Sequence, residues 1–128
     1  MDVHSIDEIA GSLPLLTVGP GTTQADFMTA MRPLGVANGC VASLLRYTGQ
    51  VPWERHPQDE QVFVLKGAIH LTLLHDAGPE QILIEAGNFV VIPAGVWHHP
   101  MPAPEATSFA VTSMVGTEHS VAQDPRAA

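Results

Sequence analysis

Apolar residues along this chain come in short runs cut by glycine and proline. From Leu13 onward the breaks at Pro14, Gly19, Pro33, Gly49, Gly67, Pro79, Gly87 and Pro93 leave too little room for helices, while the runs between them are rich in Val, Ile, Leu and Phe. That is the pattern of many short strands joined by turns. Residues 61–66 (QVFVLK) stop at Gly67 and residues 68–74 (AIHLTLL) follow at once, so the pair reads either as a hairpin or as one strand bent at a glycine. Residues 89–92 (FVVI) lead into Pro93, and residues 36–48 and 106–115 read as longer strands with partial alternation. At the start of the chain, Ser5 and Glu8 have the form of a capping box, with Ile6, Ile9 and Ala10 at helical spacing before Gly11. The pattern predicts an all-β antiparallel sandwich or barrel with a short N-terminal helix.

At 128 residues the chain suits one domain. Its expected core spans about residues 36–116, preceded by an N-terminal segment over 1–12 and followed by a polar tail over 119–128 that is expected to fray. Apolar residues make up 45% and charged residues 14%, against about a quarter charged in an average globular chain, so much of this chain must be buried.

Five Lys and Arg stand against 13 Asp and Glu, for a net charge of −8. With no basic cluster to neutralise phosphates, nucleic acid and anionic membrane surfaces are excluded as expected partners. The N-terminus is acidic where a secretory signal would be basic, and no apolar run approaches the roughly 18 residues of a membrane span. With a single cysteine, Cys40, no internal disulfide can form. The expectation is a cytoplasmic protein in which Cys40 is a small buried apolar residue of a strand. The sequence contains no G-x-S-x-G elbow, phosphate-binding loop or dinucleotide fingerprint, which disfavours covalent-nucleophile and nucleotide-cofactor chemistry.

The densest chemistry is in WERHPQDE, residues 53–60. On a strand, residues at i and i+2 share a face, so Glu54 and His56 project together. Glu60 lies beyond a turn carrying Pro57 and Asp59 and can return to the same face. PAGVWHHP, residues 93–100, follows the apolar run 89–92 and delivers His98 from a tight turn. Imidazole and carboxylate donors suit first-row divalent ions, and His56, Glu60 and His98 make the two-histidine, one-carboxylate set of non-heme iron sites. If Glu54 joins, the preference shifts toward harder ions.

The two segments together resemble the paired motifs of the cupin superfamily, G(X)5HXH(X)3-4E(X)6G and G(X)5PXG(X)2H(X)3N. His56 takes the place of the second histidine, Glu60 that of the glutamate and Gly67 that of the closing glycine, while Gly87, Pro93, Gly95 and His98 keep the spacing of the second motif. Three positions depart: Glu54 stands where the first histidine is expected, the opening glycine is Gly49 instead of position 48, and Pro102 replaces the final asparagine.

The resemblance implies a small single-domain double-stranded β-helix, or jelly-roll barrel, that pairs into a homodimer. It further implies a divalent transition metal (Fe, Mn, Zn, Ni or Cu) held by His56, Glu60 and His98, with Glu54 a fourth ligand, a catalytic general base, or a solvent-facing charge beside Arg55. The expected function is that of a metal-dependent enzyme acting on a small organic molecule inside the barrel, of isomerase, lyase, cyclase or dioxygenase type. The other reading is a non-catalytic module that binds or senses a small molecule or metal.

Further positions carry smaller expectations. His99 should point away from His98, and Trp53 and Trp97 away from the site. His70 should be hydrogen-bonded in place, and His4, His75 and His119 exposed. Phe63, Leu65, Phe89, Val91 and Phe109 are the expected core or cavity residues. One of Arg46 and Tyr47 must face inward, and an inward Arg46 would suit a substrate carboxylate.

Overall fold

The computed structural model of the protein describes residues 1–127. Nine strands, β1 (Leu15–Val18), β2 (Arg32–Ala37), β3 (Cys40–Gly49), β4 (Trp53–Arg55), β5 (Glu60–His75), β6 (Gly78–Glu85), β7 (Phe89–Ile92), β8 (His98–Ser113) and β9 (Glu118–Ser120), wind into an all-β jelly roll. Two short helices accompany them, α1 (Ile6–Ala10) before β1 and α2 (Gln24–Ala30) between β1 and β2. Among the described residues no helix is long and apolar enough to cross a membrane.

Helix α1 forms where the capping pattern places it, with the Ser5 side chain accepting from the Glu8 amide. Helix α2 was not expected. Its signal was present as a second capping box, in which the Thr23 hydroxyl accepts from the Asp26 amide and the Asp26 carboxylate from the Thr23 amide. The run 36–48 is two strands, because Asn38 and Gly39 adopt left-handed conformations and turn β2 back on β3.

Strands β5 and β8 carry the architecture. β8 pairs antiparallel with β3 along one edge and with β5 along the other. Of the two readings of 61–74, the bent strand is the one observed: β5 runs through Gly67 without a turn, and its register against β8 shifts on either side of that residue. Gly67 has φ +73, and a Cβ there would lie 2.0 Å from the Glu105 carbonyl oxygen. Only glycine allows the two strands to approach this closely at the bend.

The core is formed by Val62, Val64, Ile69, Leu71 and Leu73 of β5, with Tyr47, Ile84, Ile92 and Ala106 from neighbouring strands. This corrects the expected parity. Val62 and Val64 are buried whereas Phe63 and Leu65 are partly covered, and Phe89 and Val91 are 53% and 51% exposed on β7. The residues between them, Val90 and Ile92, face the core instead. Tyr47, not Arg46, points inward; Arg46 forms a half-exposed ion pair with Glu105 at 2.6 Å.

Candidate metal centre

The local structure around Pro93–Ala94–Gly95 joins the two sequence segments. The Ala94 amide donates to Asp59 Oδ1 at 2.9 Å, and the Gly95 amide donates to the His56 carbonyl at 2.8 Å. The turn that delivers His98 is therefore clamped onto the loop that carries His56. Strand pairing supplies the rest, since Glu54 of β4 lies directly opposite His98, the first residue of β8. Glu60 opens β5 and shares the inward parity of Val62 and Val64.

These four side chains converge. One donor atom each from Glu54, His56 and His98 lies within 4.8 Å of the other two. Glu60 Oε1 stands 3.5 Å from His56 Nε2 and 3.4 Å from His98 Nε2, and Glu54 Oε2 is 3.7 Å from His56 Nε2. His56, Glu60 and His98 are buried, whereas the Glu54 side chain keeps 26% of its exposure.

The ring nitrogens are divided into held and open ones. His98 Nδ1 donates to the Val96 carbonyl at 3.0 Å, and because a carbonyl can only accept, Nε2 of the neutral ring is left with its lone pair. His56 Nδ1 is held by the Thr117 hydroxyl at 2.8 Å. Both Nε2 atoms are buried without a hydrogen-bond partner. Two orphaned imidazole nitrogens facing carboxylates are costly in a folded interior unless something binds them.

A divalent cation fits. Donors at about 2.0–2.2 Å from one ion stand at most about 4.4 Å apart, which admits each of the 3.4–3.7 Å separations here. The second nitrogen of each histidine is already oriented, as in established metal sites. Glu60 is also held from behind, its Oε2 accepting from the Thr112 hydroxyl at 2.6 Å.

Charge crowding separates the two carboxylates. Burial, and then the nearby charge of Glu60, push the Glu54 carboxyl up to about 7 against the pull of His98 and His56. Burial also works against ionisation of Glu60, but its interactions with His56 and His98 outweigh it and hold the group at about 2. His98 is raised: burial would lower it, and Glu60, Glu54 and the Val96 carbonyl more than compensate. The Tyr47 phenol is raised by burial first and then by the charges of Glu54 and Glu60.

A model of the Cupin domain matches residues 44–113. The chain belongs to the cupin domain family. The match spans Glu54, His56, Glu60 and His98.

Solved structures agree at the level of the fold. A cupin-2 domain containing protein from Shewanella frigidimarina NCIMB 400 is 24% identical with a TM-score of 0.57, the alignment covering 73% of this cupin and 94% of that chain. Hydroxypropylphosphonic acid epoxidase from S. wedmorenis, in complex with fosfomycin, is 21% identical with a TM-score of 0.55 over 62% of this chain and 48% of that one. Hydroquinone 1,2-dioxygenase in complex with Cd2+ and 4-hydroxybenzonitrile is 23% identical with a TM-score of 0.54, over 63% and 61%. This cupin thus spans about half of the epoxidase, and identities this low speak for the shared barrel alone. A search of the curated proteins finds no match.

The surrounding residues follow the strand parity. Trp97 packs away from the centre under the Arg55 guanidinium, 4.7 Å from its ring centroid. Trp53 stacks on His99 at 4.8 Å, and His99 Nε2 donates to the Val51 carbonyl at 2.6 Å. His70 is exposed on β5 and is not among the site residues. His75 is half-buried and paired with Glu80 at 2.8 Å.

Four neighbours of the centre were not foreseen: Asp59, Thr112, Thr117 and His119. By sequence Asp59 marks only a turn, and Thr112 follows from alternation once its place beside Glu60 is known. Thr117 and His119 come from the stretch around β9, which holds Glu118–Ser120 in the sheet where the polar composition predicts a frayed tail from 119, and no local pattern marks a three-residue strand. His119 is half-exposed with Nε2 3.7 Å from Glu54 Oε2.

Proposed function

We propose that this cupin is a divalent-metal-dependent enzyme that acts on a small organic molecule at the barrel's metal centre. The observation that carries the reading is the pair of buried, unpartnered Nε2 atoms of His56 and His98 beside Glu60 and Glu54. His56, Glu60 and His98 would hold the ion, with Glu54 as a further carboxylate beside it. When bound, such an ion supplies a Lewis acid toward a carbonyl, carboxylate or hydroxyl oxygen of the substrate.

The remaining work falls to the protein's own groups. Glu54 is the more accessible of the two carboxylates, and with its carboxyl at about 7 it can take or return a proton near neutral pH. Glu60, held at about 2 and tied to Thr112, stays ionised as a fixed anchor. Tyr47, buried and with its phenol raised, keeps its proton. This division suits proton transfer on the substrate, as in isomerase, lyase or cyclase chemistry, and a dioxygenase reaction uses the same donor set with iron.

The same reading takes the chain as a single domain of a cytoplasmic homodimer. Support for pairing comes from β7, which among the described residues has β5 as its one hydrogen-bonded neighbour and whose Phe89 and Val91 are exposed.

Turnover in a panel of small hydroxy, keto and carboxylic compounds, with Fe(II), Mn(II), Zn(II), Ni(II) or Cu(II) loaded in turn, tests the enzyme reading. Metal-dependent product formation that disappears in Glu54→Gln is the expected result. Tight binding of a compound with no product from any metal form would favour the non-catalytic module.

A further inference from the structure

Glu54 sits in the middle of a row that crosses three strands. His98 lies directly opposite it on β8, and His119 lies directly opposite it on β9. Residues paired in this way share a face of the sheet with Cβ atoms about 4.5–5.5 Å apart. His119 is therefore aimed at the same side of the sheet as the candidate metal donors.

The neighbouring contacts agree with that parity. Thr117, two residues before His119, reaches His56 Nδ1. Glu118, between them, points the other way and pairs with the Arg55 guanidinium, which itself lies over Trp97 on the outer side. The ion pair holds β9 against β4 from outside while Thr117 and His119 face in.

We infer that His119 is a ligand of the metal centre, supplying from β9 the imidazole that the first cupin motif lacks at position 54. Its Nε2 is 3.7 Å from Glu54 Oε2, a separation that two donors can keep while sharing one ion. It stands outside the three donors that lie within 4.8 Å of one another, and its side chain is 50% exposed, so the ring has room to turn toward them. The inference rests on the metal-centre reading above and adds a third nitrogen to it.

The test uses the full chain loaded with Cu(II), with the nitrogen couplings read by pulsed electron paramagnetic resonance and the affinity by chelator competition. Three imidazoles, from His56, His98 and His119, are expected in the native protein. His119→Ala should leave two and weaken copper binding at least about tenfold, the lower end of what even an outer-shell partner contributes. His70→Ala, which removes an exposed histidine elsewhere, should change neither reading.

An unchanged nitrogen count in His119→Ala overturns the inference, whether or not affinity falls. If His98→Ala loses copper while His119→Ala binds as the native chain does, the metal centre stands and the role of His119 does not. A native chain that binds no copper overturns the inference, and one that binds none of Fe(II), Mn(II), Zn(II), Ni(II) and Cu(II) overturns the metal centre with it.

Discussion

Glu54 and His98 face each other directly across the β4–β8 pair, with donor atoms of both within 4.8 Å of the His56 ring. The family pattern calls for histidine at position 54, so this cupin has exchanged a neutral donor for an acid at that place. The exchange brings a second carboxylate close to Glu60, and its first consequence is electrostatic.

Metal affinity should rise with pH up to about 7. A metal takes the ionised form of Glu54, whose carboxyl lies at about 7, and the neutral form of His98, which is also raised. Titration of Zn(II) binding between pH 5.5 and 8 should show a loss of up to about tenfold per unit on the acid side from Glu54 alone. Glu54→Gln should remove that share of the slope, and an unchanged slope would contradict the assignment.

The metal-free protein should show the opposite trend from the same residue. Because the folded-state carboxyl is raised from 4.5 to about 7, Glu54's contribution to stability is full below about 4.5 and is lost as pH rises through 7. Glu60, lowered to about 2, contributes above 4.5 and loses that contribution as pH falls toward 2. Chemical denaturation of chelator-treated protein should find Glu54→Gln less sensitive to pH between 4.5 and 7 than the native chain.

Thr117 holds the far side of the His56 ring. Thr117→Val keeps the shape and removes the hydroxyl, so metal binding should weaken roughly 10–100-fold. Chelator competition measures the loss, and an affinity equal to that of the native chain would mean that the hydroxyl does not orient the ring.

Val64 is completely buried, whereas Val91 is 51% exposed. Val64→Ala should destabilise the fold by about 2 kcal/mol through lost burial and the cavity left behind. Val91→Ala should change stability by less than about 0.5 kcal/mol in the monomer. Urea denaturation of the two variants compares them directly, and similar losses would contradict the parity seen here.

That parity marks where sequence reasoning succeeded and where it could not. Gly67, Pro93, Gly95 and the spacing of His56, Glu60 and His98 were legible because each answers a local demand of backbone geometry or donor chemistry. The run VFVL over 62–65 is apolar on both faces, so a period of two cannot choose between Val62 with Val64 and Phe63 with Leu65. Glu60 held the answer: an inward Glu60 requires inward Val62 and Val64 by alternation alone. The pairing of Glu54 with both His98 and His119 lay beyond reach, since it depends on contacts between residues 44 and 65 positions apart.

The central claim is that His56, Glu60, His98 and Glu54 form one metal centre, and the most direct measurement is metal content after purification without added metal and brief exposure to each of Fe(II), Mn(II), Zn(II), Ni(II) and Cu(II). The native chain is predicted to retain at least one of these ions in stoichiometric amount, and His98→Ala to retain none. A native chain that holds no ion, or a His98→Ala variant that holds as much as the native chain, would contradict the account.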